Sequence, residues 1–321
     1  MINIYVHQHG ETRSAPAVDT KWLDADSDVV LWVDLAAATA DEGRVLSDLF
    51  HFHPLSVEDA LSKIHHPKIE QYPGYLYLIL HGIDHQQGER GFATRDVDFF
   101  LGLNYLVTVH DGFSRSIAKW KSICGQHEHV LAEGAAGLLH RIVDSMVENY
   151  RPEIDALEEQ VNDLEEEAIL GYRTDIVRQI LMLKRDLASL RRVVIPQRDA
   201  VGRLAHREFS LINDEMTYRF RDVYDQFVRL SEEAIMFQDR ITSILEAHLS
   251  SVSNRLNVVM KVLTVISTIF LPLTVLTGMW GMNVPLPMFP GSAMQQFWWV
   301  GGIMAVIAAG MLALFRLNRW I

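Results

Sequence analysis

The chain has one cysteine, Cys124, in 321 residues. That excludes an intramolecular disulfide and a cysteine-rich metal site. Basic residues are scarce: Lys and Arg total 29 against 41 Asp and Glu, a formal net charge of −12. A nucleic-acid partner is therefore not expected, because phosphate binding needs a basic surface. No GxSxG, P-loop, HExxH or dinucleotide fingerprint occurs, so the sequence does not read as an enzyme and calls for no cofactor. The N-terminus, MINIYVHQHGETRS, lacks the apolar core of a signal peptide. The segment before the C-terminal apolar region is thus expected on the cytoplasmic side. The most informative absence is of charge: from Val262 to Phe315 there is no Asp, Glu, Lys or Arg.

Two windows in that stretch are long enough to cross a bilayer, which takes about 20 apolar residues. They are VLTVISTIFLPLTVLTGMW (262–280) and FWWVGGIMAVIAAGMLALF (297–315). Lys261 precedes the first, Arg316 and Arg319 follow the second, and the segment between carries no Lys or Arg. Basic residues favour the cytoplasmic side, which places both termini inside and a short loop outside. Trp280, Trp298, Trp299 and Trp320 fall near the expected interfaces, where amphipathic rings settle. A buried hairpin of a soluble protein is the alternative.

The first ~140 residues read as mixed α/β. YLYLILHGI (75–83) and VDFFLGLNYLVTVH (97–110) have the β-branched and aromatic content of strands. HPLSVEDALSK (53–63) reads as a short helix with Ser56 as N-cap and Glu58 and Asp59 in its first turn. From Gly137 onward apolar residues recur at three and four, predicting long helices over roughly 138–170, 173–200 and 208–280. EIDALEEQVNDLEEE (153–167) holds eight acids and no base. It reads as a solvated helix face, and equally as a cation-attracting skirt. The chain has 14 histidines, but the closest clusters, His51 with His53 and His65 with His66, lack metal-ligand spacing.

Along the first span Asn257, Met260, Leu263 (or Thr264), Ser267, Leu271, Thr274 and Gly278 recur at three- and four-residue steps and share one helical face. A stripe of small and polar residues serves helix–helix packing. It also suits the wall of a pore, since it continues from an amphiphilic helix and ends at Gly281-Met282-Asn283. Two spans cannot enclose a water-filled path, so a pore requires several copies arranged symmetrically. The first span would line the axis and the second, built of Ala, Val, Ile, Leu, Met and Gly, would face lipid. Gly281 frees the backbone at the mouth, and Asn283 offers one amide oxygen per subunit. Mg²⁺ gives up its water reluctantly. Neutral amides can hydrogen-bond the hydration shell without holding the ion too tightly to leave.

At these residues the sequence resembles the CorA family of divalent-cation channels, the two-span GMN transporters. The match runs through SSVSNRLNVVMKVLTVISTIFLPLTVLTGMWGMN (250–283). HPLSVEDAL (53–61), PQRD (196–199), FRDVYDQ from Phe220 and RLNRW (316–320) also resemble family blocks. The resemblance implies a homopentameric funnel in the inner membrane with α/β cytoplasmic domains, long helices and two C-terminal transmembrane helices. It also implies passive flow driven by membrane potential. The plan it suggests is an α/β domain over 1–137, long helices over 138–261, a first span over 262–283, an external loop over 284–296, a second span over 297–315 and a basic tail over 316–321. It implies a filter of Gly281, Met282 and Asn283. It implies a pore lined by Asn257, Met260, Leu263, Ser267, Leu271, Thr274 and Gly278, with Met260, Leu263 and Leu271 as apolar constrictions. Asp59 and Asp222 match paired carboxylates that hold a regulatory ion between subunits. The expected partners are further copies of the chain, the lipid bilayer and divalent cations: Mg²⁺ first, with Co²⁺ or Ni²⁺. One departure stands out: many members carry an acid soon after the Asn, whereas VPLPMFPGSAMQQ (284–296) has none. That opens a Zn²⁺ transporter, some of which are thought to use a proton gradient, as the alternative. A non-conducting membrane-tethered scaffold is the reading from another class.

Overall fold

A computed structural model describes residues 1–24, 26–62, 66–83, 94–125, 130–170, 175–282, 292–318 and 320. Met1–Leu245 and Glu246–Ile321 form two compact units. The first is built on a seven-stranded sheet of order β2-β1-β3-β7-β6-β5-β4. Its strands are β1 (Ile2–Gln8), β2 (Glu11–Ser14), β3 (Val30–Ala36), β4 (Lys68–Tyr72), β5 (Tyr75–Ile83), β6 (Thr94–Leu101) and β7 (Tyr105–His110). Only β3 and β7 pair in parallel; the other neighbours are antiparallel.

Both faces of the sheet are covered, which explains why β5 reads as continuous apolar text: every one of its residues is buried. Side chains alternate across the pleat. Leu76, Leu78 and Leu80 join a core shared with the long helices, while Tyr75, Tyr77 and Ile79 join Phe50, Phe52 and Leu46 on the other face. That second face is covered by α1 (Ala40–Asp48) and α2 (Pro54–Leu61). Near the sheet centre Asp34 is fully buried. It accepts from Thr108 (2.8 Å) and Lys121 (2.7 Å) and lies 3.1 Å from His110 Nε2. Burial alone would raise its pKa, but His110 and Lys121 outweigh that and hold the carboxyl below its ordinary value.

The 97–110 stretch, expected as strand throughout, is two strands of a hairpin, β6 and β7, joined through Gly102, Leu103 and Asn104. A Cβ at Gly102 would fall 2.2 Å from the Tyr105 ring, so only glycine fits. Asn104 is buried and donates to the carbonyls of Trp22 (2.8 Å) and Val29 (3.1 Å).

The helices that follow are α3 (Arg115–Cys124), α4 (Gly134–Glu148), α5 (Arg151–Leu170), α6 (Ile176–Ala205) and α7 (Asp214–Trp280). The expected helix over 138–170 is thus broken at Asn149 and Tyr150. Pro152 lacks an N–H and cannot sit in a helix interior without loss, so it serves instead in the first turn of α5. The expected start of the last long helix at 208 moves to Asp214, where Asn213 accepts the Met216 N–H at 2.8 Å. On α7, Met216, Phe220, Val223, Phe227, Leu230, Ala234, Phe237, Ile241 and Ile244 are buried at alternating steps of four and three, a 3.5-residue seam of coiled-coil type.

Gln197 on α6, beside Pro196, finishes the sheet edge. β4 pairs with β5 only as far as Lys68 opposite Ile79, which leaves the outer backbone groups of His81 unpaired by strand. Gln197 Oε1 accepts the His81 N–H (2.8 Å), Gln197 Nε2 donates to Tyr150 Oη (2.8 Å), and Tyr150 donates to the His81 carbonyl (2.7 Å). A side-chain amide and a phenol take the place of the missing strand.

The second unit holds the end of α7 and α8 (Ala293–Leu317). Both helices are long and apolar enough to cross a membrane.

Candidate functional site

The α7 backbone leaves its helix where the sequence predicts. Its last helical residue is Trp280, and the Gly281 N–H still bonds to the Thr277 carbonyl at 3.0 Å. A Cβ on Gly281 would lie 3.2 Å from that same carbonyl oxygen, so a side chain here would strain the exit. Asn283 and the loop residues 284–291 lie outside the described residues, as do Lys63, His65 and Arg319.

The series from Asn257 to Gly278 is exposed throughout, Leu271 to 67%. Within the same stretch of α7, residues 257–280, the less exposed positions are Val265, Ile269, Pro272, Leu273 and Leu276. At ~100° per residue these two sets lie on roughly opposite sides of α7. On α8 the less exposed positions, Val300, Ile303, Met304, Ile307, Ala308 and Met311, also form a stripe. Within one chain, therefore, the face carrying Met260, Leu263, Ser267, Leu271, Thr274 and Gly278 is the face left open. Thr274 turns its hydroxyl hydrogen inward, donating to the Phe270 carbonyl at 2.8 Å.

The two expected regulatory acids have different surroundings. The N-cap of α2 is His53, whose Nδ1 accepts the Leu55 N–H at 3.2 Å, with Pro54 at the first helical position. Ser56, expected as the cap, is instead buried and donates to the His53 carbonyl. Glu58 and Asp59 consequently sit in the second turn rather than the first, and helix-start stabilisation does not account for Asp59. Asp59 Oδ2 lies 2.7 Å from Lys68 Nζ, which also reaches Glu70 Oε1 at 2.9 Å. Burial works against the Lys68 ammonium, but these two carboxylates win and raise its pKa above the ordinary lysine value. Asp222, on α7, is exposed and accepts from Gln226 Nε2 at 3.3 Å. Gln226 also donates to Asp144 at 3.1 Å. The two nearby arginines of α7 are engaged elsewhere among the described residues: Arg219 pairs with Glu133 and Glu215, and Arg221 lies over the Tyr218 ring.

Among the described residues no three His, Cys, Asp or Glu side chains converge on a metal position within one chain. Lys68, absent from the expected site residues, is the basic neighbour of Asp59. Its pairing with Glu70 follows from the i, i+2 spacing, which a strand places on one face, whereas the approach of Asp59 does not.

A family profile described as CorA-like Mg²⁺ transporter protein matches residues 27–317. The Bacillus subtilis protein named "Putative metal ion transporter YfjQ" is 31% identical over 90% of this chain and 89% of its own. The cobalt/magnesium transport protein CorA of Thermotoga maritima is 28% identical over 92% of this chain and 85% of its own. The complete structure of the CorA magnesium transporter from Methanocaldococcus jannaschii superposes with a TM-score of 0.82 at 21% identity, covering 100% of this chain and 99% of that one.

Proposed function

This chain belongs to the CorA family of divalent-cation transporters, and from that premise we propose that it is a Mg²⁺ channel that also passes Co²⁺ or Ni²⁺. It is a membrane protein with two C-terminal apolar helices. The observation that carries the proposal is the uncharged face of α7, left open in the single chain and leading to Gly281 and Met282. In our proposal five copies bring these faces together around one axis, in the inner membrane with both termini cytoplasmic. Met260, Leu263 and Leu271 then form apolar rings that gate by excluding water. Asn283, beyond Gly281 and Met282, offers neutral oxygens to the waters of a hydrated ion. Internal Mg²⁺ held between Asp59 of one subunit and Asp222 of the next favours the closed ring. It does so only by binding that state better than the open one.

The test is Asn283→Ala. Alanine keeps the backbone and removes the amide, so Mg²⁺ flux into proteoliposomes is lost while oligomer assembly persists. Wild-type flux from this variant would remove the filter assignment. A Zn²⁺ transporter of the same family is the second reading, favoured by the absence of any acid in 284–296.

A further inference from the structure

We propose that Lys68 is a resident counter-ion that competes with the divalent cation for Asp59, and so sets the internal Mg²⁺ level at which the channel closes. The inference rests on the regulatory reading of Asp59 above.

Lys68 opens β4 and is fixed there by its pairing with Ile79 of β5. Asp59 comes from the second turn of α2, and Glu70 from the same face of β4 as Lys68. The ammonium bridges the two carboxylates at 2.7 and 2.9 Å. It also lies 5.5 Å from the centroid of Tyr77, whose hydroxyl donates to buried Asp98 at 2.5 Å. The Lys68 and Asp59 side chains are only 32% and 28% exposed. This lysine is therefore held on two acids and an aromatic face, unlike a lysine trailing in solvent.

A charge in that place has a direct consequence for a metal. Mg²⁺ and Ca²⁺ take carboxylate oxygens, and Asp59 Oδ2 is already engaged by a cation. A divalent ion must either displace the ammonium or bind the remaining oxygen beside a like charge. Both raise the concentration required. Glu70 makes the exchange possible without stranding the lysine, since Nζ keeps one carboxylate when Asp59 is taken. At low Mg²⁺ the same contact neutralises Asp59, so the open state carries no bare acid at this point. A purely structural role, fastening α2 to β4, would change unfolding but leave the closing concentration alone.

The experiment is a titration of flux against internal Mg²⁺ with the full-length protein in liposomes. The variants are Lys68→Met, Lys68→Gln, Lys68→Arg, Asp59→Asn and the double variant Lys68→Gln with Asp59→Asn. Glutamine keeps a neutral donor for the carboxylates and guards against a folding defect in the methionine variant. Loss of the charge lowers the Mg²⁺ concentration for half-closure by about 2- to 5-fold, the scale of a partly exposed ion pair. Arginine stays close to wild type, and Lys68→Gln adds nothing once Asp59 is Asn. An unchanged or raised closing concentration in both neutral variants overturns the proposal, as does the same shift in the Asp59→Asn background. If Asp59→Asn itself leaves closure by Mg²⁺ untouched, the regulatory reading falls and this inference with it. If Asp59→Asn alters closure and the Lys68 variants do not, only the inference falls.

Discussion

Asp98→Asn is expected to stabilise the protein, and to do so only above acidic pH. Asp98 on β6 is 5% exposed and accepts the Tyr77 hydroxyl at 2.5 Å. Burial dominates and raises its pKa; the Tyr77 hydrogen bond pulls the other way, and Asp96 and Asp59 add repulsion. The carboxyl is pushed from 3.8 up to about 7. Below pH ~4 the folded and unfolded chains both hold this proton. Between ~4 and ~7 the unfolded chain gives it up while the folded chain keeps it, so the unfolded state binds fewer protons and stability falls as pH rises. Above ~7 both are ionised and the penalty stays constant. At ~1.4 kcal/mol per tenfold change in proton affinity, the ceiling is about 4 kcal/mol. Asparagine has no proton to lose and still offers Tyr77 an oxygen. Thermal unfolding of the full-length protein in detergent at pH 5, 6, 7 and 8 reads the difference. The variant's advantage grows across that series and levels off. An advantage independent of pH, or largest at pH 5, would refute the claim that burial holds Asp98 protonated.

Gln197→Leu strands the His81 N–H and disturbs the Tyr150 hydroxyl inside the core; unfolding should shift by about 1–3 kcal/mol for each group left unsatisfied. An unchanged melting curve would mean the sheet edge does not depend on it. Leu271→Asn or Leu263→Asn wets an apolar ring, so basal flux at high internal Mg²⁺ rises. If both variants close as tightly as wild type, those residues do not face the axis.

The membrane architecture was legible because a bilayer tolerates so few charges: the run from Val262 to Phe315 admits little else. The buried β5 was legible from its apolar text, and the CorA-like fold from the blocks around Asp59, Gln197 and Asn283. Other features were hidden for identifiable reasons. The apolar alternation of β6 runs straight into β7, and the three-residue turn at Gly102–Asn104 carries its constraint in a contact with the Tyr105 ring. The break before α5 was signalled by Pro152, which the helical periodicity around it masked. The true cap of α2 was a histidine ring nitrogen instead of the more usual serine oxygen. The Lys68–Asp59 contact depends on how α2 settles against β4, which no local pattern encodes. The proposed partnership of Asp59 with Asp222 spans two copies of the chain, so neither one sequence nor one chain displays it.

Whether this chain forms a Mg²⁺ channel is decided by ion flux into liposomes containing only the purified protein, with an inside-negative potential, no pH gradient, and Mg²⁺ and Zn²⁺ supplied separately and in competition. A Mg²⁺ channel admits Mg²⁺ in step with the potential, and equimolar Zn²⁺ does not abolish that entry. Absence of Mg²⁺ entry, or transport of Zn²⁺ alone that appears only when a proton gradient is imposed, would show that the chain is not a Mg²⁺ channel.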